Sequence, residues 1–324
     1  MPMLSELIEY HWAENIDDVL LLLGRLDVKT VPLAGGTYLL GLQDDSIEAV
    51  VDLRDLELAS ISEDARGIHI GAMTTLQQMV DEPLLRDFAT GLLARSAYAS
   101  SSSRLIRNSA TIGGTIATGG ASQADLLTAL VALEAEVVVR SGSKSQIDLS
   151  GGTYDRPGLA LSGVVYKGKQ ERRIPCQEVA IERRPAELIV EVIVPRPALS
   201  SGTSLMRVSR TAADVALLNA AALVEIEDKV YRKVRLALGG ASMEPVRLYG
   251  VEQLLEGQPI MNPLNSQRLL TTLQEGMTMF RPPADVRASS SYRRVSGMGL
   301  AYRALEEAMN VASWRGMVSS ERGG

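Results

Sequence analysis

Residues 110–120 read Ala110-Thr111-Ile112-Gly113-Gly114-Thr115-Ile116-Ala117-Thr118-Gly119-Gly120, so that four glycines and three threonines alternate with small apolar residues. Glycine lets the backbone reach positive φ and approach a ligand closely, and threonine hydroxyls can donate to phosphate or ribose oxygens. The residues alone leave two interpretations open. One is an anion-binding loop, and the other is a glycine-loosened strand that packs against a neighbour.

A second glycine-rich segment lies upstream, Leu33-Ala34-Gly35-Gly36-Thr37-Tyr38-Leu39-Leu40, after a short β-like run at 29–34. Consecutive N–H groups in such a turn form a concave anion site, and a following helical turn adds partial positive charge. On its own, a Gly-Gly pair is more often a plain tight turn. Neither segment is a G-x-G-x-x-G motif or a P-loop, so together they predict a pyrophosphate held between backbones from two lobes.

The apolar patterns predict an α+β chain. In the first half, β-like runs at 49–53 and 67–70 alternate with helical runs near 76, at 84–99 and at 125–133, and 142–169 is expected to be a loose connection with a strand at 161–166. Four strands without long helices then predict an antiparallel sheet at 188–194, 203–209, 215–226 and 234–239, followed by helices at 248–256, 263–278 and 299–311. We place the domains at 1–183, with lobes of about 1–57 and 58–183, and 184–324, with a disordered tail at 318–324.

Composition excludes several classes of protein. A net charge of -6 without a Lys/Arg run argues against nucleic-acid binding. No apolar run approaches the ~20 residues that span a bilayer, and the N-terminus lacks the basic region of a signal peptide, so a cytoplasmic location is the default. One cysteine and two histidines exclude a disulfide framework, and they exclude a zinc site or iron–sulfur cluster built by this chain alone.

Several motifs in order resemble one family. Ala34-Gly35-Gly36-Thr37, with Ile106-Arg107-Asn108-x-Ala110-Thr111-Ile112-Gly113-Gly114, is similar to the signature of the FAD-binding medium subunit of the xanthine dehydrogenase and carbon monoxide dehydrogenase family. Further matches follow in the same order at 71–75, 124–127, 209–216, 237–241, 245–247 and 291–294. They extend over 34–294, and this ordered series is far more specific than either glycine segment.

The resemblance implies a two-lobed FAD-binding domain of the PCMH/vanillyl-alcohol-oxidase type, followed by an antiparallel sheet with helices. It implies that the FAD pyrophosphate contacts Pro32, Leu33, Ala34, Gly35, Gly36, Thr37, Tyr38, Leu39, Thr111, Ile112, Gly113, Gly114 and Thr115. Asp125 would lie near the adenosine ribose, with Thr118 beside it. Ile189 and Arg207 would lie near the isoalloxazine, although a core strand residue and a surface strand residue are equally good interpretations of these two.

The sequence departs from the family pattern at three places. Tyr38 stands where a small or acidic residue is common, and Thr115 replaces the usual Asn or Ser. One extra residue within 119–123 precedes Asp125, and the stretch 141–184 matches poorly.

The family implies a division of labour between subunits. Electrons would arrive singly from a [2Fe-2S] small subunit after a substrate is oxidised at a molybdopterin-binding large subunit, and FAD would pass them to NAD, quinone, oxygen or another acceptor. The single cysteine requires that the clusters sit on another chain. The alternatives are a flavin-free scaffold that kept the fold and, in third place, a stand-alone flavin oxidase.

Overall fold

The computed structural model describes residues 7–42, 44–119, 124–144, 166–211, 213–242, 244–260, 267–279 and 282–322. These residues form three sheets, with helices packed on them. The strand expected at 161–166 therefore lies almost entirely outside the described residues, and so does the extra residue expected before Asp125.

The first sheet is parallel, with strand order β1-β3-β2, and consists of β1 (Glu9–Trp12), β2 (Thr30–Leu33) and β3 (Ala49–Asp52). Helix α1 (Ile16–Leu23) crosses from β1 to β2, and it begins at Asn15, whose side chain accepts from the Asp18 N–H at 3.0 Å. The apolar face of α1 packs between this sheet and the second sheet, because Val19 and Leu22 share one buried cluster with Val51 and Ile193. The first and second sheets therefore lie on opposite sides of α1.

The second sheet has five antiparallel strands in the order β4-β5-β8-β6-β7. They are β4 (Ile61–Glu63), β5 (Gly67–Gly71), β6 (Glu136–Lys144), β7 (Tyr166–Pro175) and β8 (Glu187–Pro195). Its helices are α2 (Leu76–Asp81), α3 (Pro83–Asp87), α4 (Leu92–Ser100), α5 (Arg104–Ser109), α6 (Ile112–Thr118), α7 (Ala124–Ala132) and α8 (Val179–Glu182). The helical run expected at 84–99 is broken, because Ala89 and Thr90 take left-handed φ values of 48° and 52°.

The third sheet is antiparallel, as expected, in the order β12-β11-β10-β9. Its strands are β9 (Gly202–Val208), β10 (Leu218–Glu227), β11 (Val230–Gly239) and β12 (Val246–Arg247). Helices α9 (Tyr249–Leu255), α10 (Gln267–Met279) and α11 (Ser290–Arg322) follow. Leucines and alanines of α11 share one apolar core with the inward side chains of the sheet, including Ala220 and Leu236.

Two features of the C-terminal half differ from expectation. The strand expected at 188–194 does not join the C-terminal sheet, because β8 pairs with β5 and β6. A boundary at 183/184 would cut this strand from its partners, so we propose that the domains meet between 195 and 202. The tail expected to be disordered from 318 is helical as far as Arg322, since α11 continues through it. The division into lobes at residue 57 stays a prediction.

A charge cluster around Glu134 ties the second sheet's helices to the third sheet. Glu134 follows α7 with a left-handed φ of 55°. Its carboxylate contacts Lys233 Nζ at 2.6 Å, Arg235 Nε at 2.6 Å and Arg247 NH1 at 3.1 Å. Burial alone would raise the pKa of Glu134, but the hydrogen bonds from Lys233 and Arg235 outweigh it and lower the pKa to about 2.

We expect Glu134→Gln to lower the free energy of unfolding at pH 7 by about 1 to 2 kcal/mol, because three cations lose their shared carboxylate. The pKa is depressed in the folded state, so the carboxylate contributes stability above its unfolded pKa of roughly 4.3 and loses it as the pH falls towards the folded value. Urea unfolding between neutral and acidic pH measures both effects. The exposed Glu57→Gln is the control, and a gap between Glu134→Gln and the parent chain that persists at the lowest pH would contradict the assignment.

Candidate cofactor site

A cavity of about 640 Å³ lies between the first sheet and the second. Both glycine segments line it. Its size falls within the roughly 300–1,000 Å³ typical of ligand and cofactor pockets. The residues predicted for the site that line it are Pro32, Ala34, Gly35, Gly36, Thr37, Tyr38, Leu39, Thr111, Gly113, Gly114, Thr115, Thr118 and Ile189.

The first segment leaves β2 and turns sharply. Gly36 has a left-handed φ of 68°, and the chain then enters a short 3₁₀ turn at Leu39–Gly41 in which the Leu40 N–H donates to the Gly36 carbonyl at 3.1 Å. Within the described part of the chain, the backbone N–H groups at 35–38 have no acceptor. Four successive amides without a protein acceptor at a cavity wall are compatible with the anion site expected for this segment, which stays a prediction.

The two segments touch at Gly35. A Cβ atom at Gly35 would lie 1.7 Å from the carbonyl oxygen of Ser109, the residue that joins α5 to Ala110. Only glycine permits this approach, because any side chain would enter the space of a backbone carbonyl. The convergence that a single pyrophosphate site requires is therefore present.

The second segment is not a loop, and this corrects both sequence interpretations of it. Residues 112–118 form α6, and Thr111 is its N-cap. The first four N–H groups of the helix already have protein acceptors: Ile112 donates to Thr74 O at 2.9 Å, Gly113 to Ala72 O at 2.9 Å, Gly114 to Thr111 Oγ1 at 3.1 Å and Thr115 to Thr111 O at 2.9 Å. Because these amides are used within the protein, the second segment cannot supply the amide cradle that was expected near position 113.

The threonines of α6 are also engaged. The hydroxyl of Thr115 donates to the Thr111 carbonyl at 2.8 Å, and that of Thr118 donates to the Gly114 carbonyl at 3.0 Å. The Thr111 hydroxyl accepts from Gly114, so its own proton stays available for an anion. The Thr111 hydroxyl is therefore the hydrogen-bond donor that this segment can offer to an anion, and it lies at the positive end of the short helix α6.

Gly113 and Gly114 serve different purposes although they are adjacent. A Cβ at Gly113 would lie 2.8 Å from both the Cβ and the carbonyl oxygen of Ala72, so this glycine permits helix-to-strand packing. A Cβ at Gly114 would meet only Thr111 Oγ1, at 3.0 Å, and would otherwise enter the cavity. Gly114 therefore keeps the cavity open.

Four predicted site residues do not line the cavity. Leu33 packs on a small apolar cluster with Ile47 and Val50, and Ile112 is fully buried in the main core. Asp125 and Arg207 pair with each other at 3.4 Å, and Asp125 also accepts from Asn219 at 3.0 Å. Burial raises the pKa of Asp125, against the lowering effect of Arg207 and Asn219. The structure thus gives these two charged residues a contact between α7 and the C-terminal sheet.

Several lining residues were not anticipated. They come from the end of α1, from the loop after β5 and from the start of β8, and the most polar are Arg25, Lys29, Arg183 and Glu187. Arg25 is fixed by Glu9 at 2.5 Å and Asp27 at 3.0 Å, and its hydrogen bonds to these carboxylates raise its pKa. No motif surrounds these residues, so only the tertiary fold reveals them.

A smaller cavity of about 210 Å³ adjoins the first, and Thr37, Tyr38 and Ala110 line both. Its other walls combine hydroxyl residues at the α4–α5 connection, apolar side chains of α2, α4 and α5, and residues 213–215 before β10. Over the described residues, no group of three or more His, Cys, Asp or Glu side chains could hold a metal ion. Among the same residues, no helix is both long and apolar enough to cross a membrane.

Two family models match the chain. Residues 6–151 match the FAD binding domain in molybdopterin dehydrogenase, and residues 204–308 match the CO dehydrogenase flavoprotein C-terminal domain. The two matches lie on either side of β8, the central strand of the second sheet.

Relatives and solved structures agree over almost the full length. The glyceraldehyde dehydrogenase medium chain of Sulfolobus acidocaldarius is 27% identical over 304 residues. The match covers 92% of this chain and 97% of the length of that relative. The carbon monoxide dehydrogenase medium chain of Hydrogenophaga pseudoflava is 24% identical and covers 94% and 98%. A solved structure of carbon monoxide dehydrogenase from the same organism has a TM-score of 0.78 at 22% identity, covering 94% of this chain and 98% of that one, which shows the likeness of fold.

Proposed function

We propose that this chain, which belongs to the family of FAD-binding medium subunits of xanthine dehydrogenase and carbon monoxide dehydrogenase, is the electron-transferring subunit of a heteromeric molybdenum enzyme. Family membership makes FAD its cofactor and the chain an oxidoreductase subunit. The observation that carries the proposal is the meeting of both glycine segments at one cavity through Gly35. When bound, FAD supplies the exchange between single-electron carriers and a two-electron acceptor.

The residues at this cavity suit FAD. The free amides at 35–38 would hold the pyrophosphate, with the Thr111 hydroxyl as a further donor. Backbone donors fixed by a turn need little ordering on binding, which favours affinity. Arg25 and Lys29 also line the cavity, but Glu9, Asp27 and Asp44 pair with them, so the backbone amides and Thr111 are the donors that the proposal depends on.

We assign the remaining redox centres to partner chains. The relatives include a carbon monoxide dehydrogenase medium chain and a 6-hydroxypseudooxynicotine dehydrogenase complex subunit, so their names are those of parts of larger enzymes. One cysteine cannot ligate an iron–sulfur cluster. A [2Fe-2S] small subunit and a molybdopterin-binding large subunit would then complete the assembly.

The test uses the full chain and the complex that co-purifies with it. We expect oxidised-flavin absorbance, and we expect acid to release FAD in stoichiometric amount and no FMN. The complex should also contain molybdenum and iron. A chain that carries FAD but brings no iron or molybdenum partner would overturn the electron-transfer role and leave the cofactor assignment intact. A chain that stays empty when FAD is added to the apo-protein would favour the flavin-free scaffold.

A further inference from the structure

We infer that the Tyr38 side chain is a positioning residue that packs against the isoalloxazine ring in the smaller cavity, an inference that rests on the proposed FAD site. Tyr38 lines both cavities, and it is the only aromatic residue among the described residues that line either one. Its side chain is 40% exposed. Within the described part of the chain, its hydroxyl has no hydrogen-bond partner.

Three other exposed tyrosines of the molecule, Tyr10, Tyr98 and Tyr249, are engaged. The Tyr10 hydroxyl donates to Asp52, and the Tyr249 hydroxyl contacts Gln177 at 2.8 Å. The ring of Tyr98 lies 4.6 Å from the Arg107 guanidinium carbon. By contrast, the phenol ring of Tyr38 lies at the wall of both cavities, and its hydroxyl has no hydrogen-bond partner among the described residues.

The backbone holds Tyr38 at the point where FAD must bend. Its N–H is one of the free amides at 35–38, and its carbonyl accepts from the Gly41 N–H at 2.9 Å in the 3₁₀ turn. We therefore expect this residue to offer its amide to the pyrophosphate and its ring, at the far end of its side chain, to the isoalloxazine that the ribityl chain joins to the pyrophosphate. Since the pyrophosphate joins the two halves of FAD, one half extends into each cavity.

The smaller cavity suits the flavin half. Ser101, Ser102 and Asp214 line it, and such groups can pair with the several donors and acceptors on the pyrimidine edge of isoalloxazine. Residues 213–215 are the only described lining residues of either cavity that come from beyond Pro195, so a ring placed here lies between the two domains. The larger cavity, with Leu23 and Leu53 in its wall, is left for the adenosine half.

An aromatic ring beside a flavin has a specific consequence. Aromatic rings prefer offset or edge-to-face contact, which fixes the orientation of the partner ring. A phenol in contact with oxidised flavin also quenches its emission, because the phenol donates an electron to the excited ring. Phenylalanine preserves the contact but is much harder to oxidise, so it does not quench in this way.

The test compares Tyr38→Phe with the matched control Tyr292→Phe in the full chain loaded with FAD. Tyr292 is 46% exposed and lines neither described cavity. We expect Tyr38→Phe to bind FAD with unchanged affinity while the emission per bound FAD rises several-fold. Tyr292→Phe should match the parent chain in both quantities.

Tyr38→Ala adds a second readout. We expect its affinity for FAD to fall while its affinity for ADP stays unchanged, because ADP lacks the flavin ring. Unchanged emission in Tyr38→Phe, loss of FAD from Tyr38→Phe, or equal losses of FAD and ADP affinity in Tyr38→Ala would each overturn the inference. Failure of the parent chain to bind FAD would instead refute the cofactor site itself, and the parent sample reports that separately.

Discussion

Replacing Gly35 by alanine is expected to remove FAD from the chain. The added Cβ would stand 1.7 Å from the Ser109 carbonyl oxygen, so either the first glycine segment or the start of α6 must move away. The free amides at 35–38 would then no longer face Thr111 across the cavity. Misplacing one wall of a preorganised site costs most of its affinity, and a tenfold loss corresponds to about 1.4 kcal/mol.

Equilibrium titration of the apo-chain with FAD measures this effect, and we expect the loss to exceed tenfold, or about 1.4 kcal/mol. Gly41→Ala is the matched control, because Gly41 lies a few residues along the same segment and a Cβ there meets no atom within 4 Å. The control should bind FAD like the parent chain. Parent-like binding by Gly35→Ala would show that the contact with Ser109 is not part of the site.

The sequence alone was sufficient to predict the larger helices and strands and the turn at the first glycine segment. The helical run expected at 125–133 is α7, and the strand before Gly35 ends where expected, because local propensity and burial agree there. The C-terminal antiparallel sheet followed from strands that succeed one another without long helices. In these places a short window of sequence contains the whole physical cause.

Other features depend on contacts that no short window contains. Strand β8 belongs to the second sheet, because its partners are β5 and β6. Its nearest strand in the sequence, β9, belongs instead to the third sheet. The segment 112–118 has a strand-like or loop-like composition, yet it is helical because Thr74 and Ala72 accept its first N–H groups and Thr111 caps it. Tertiary hydrogen bonds here override the low helix propensity of paired glycines.

The charged residues show the same limit. Asp125 and Arg207 were assigned to the cofactor through resemblance, but their shared contact arises only when α7 meets the C-terminal sheet. Arg25 lines the cavity because α1 ends beside it, and no motif announces this. Residue type therefore indicated the chemistry of the site, whereas the set of residues at its wall depended on packing.

Replacing Gly114 by leucine is expected to separate cofactor binding from stability. Gly114 lies inside α6, where leucine is a better helix former than glycine by somewhat less than the roughly 0.8–1.0 kcal/mol that separates glycine from alanine. Its Cβ would meet only Thr111 Oγ1, at 3.0 Å, so the rest of the side chain enters the cavity. We expect FAD affinity to fall more than tenfold, which corresponds to about 1.4 kcal/mol, while the free energy of unfolding of the apo-chain stays the same or rises.

Two further glycine variants serve as controls for this prediction. Gly299→Leu, in the middle of α11, where a Cβ meets nothing within 4 Å, should gain the same helix propensity and keep FAD. Gly113→Ala should instead lower the free energy of unfolding, because its Cβ would press on Ala72 at 2.8 Å. Flavin titration and urea unfolding of the three variants distinguish a filled cavity from a damaged helix. A Gly114→Leu chain that retains FAD would place the cofactor away from α6, whereas one that loses FAD without losing stability assigns Gly114 to the cavity alone.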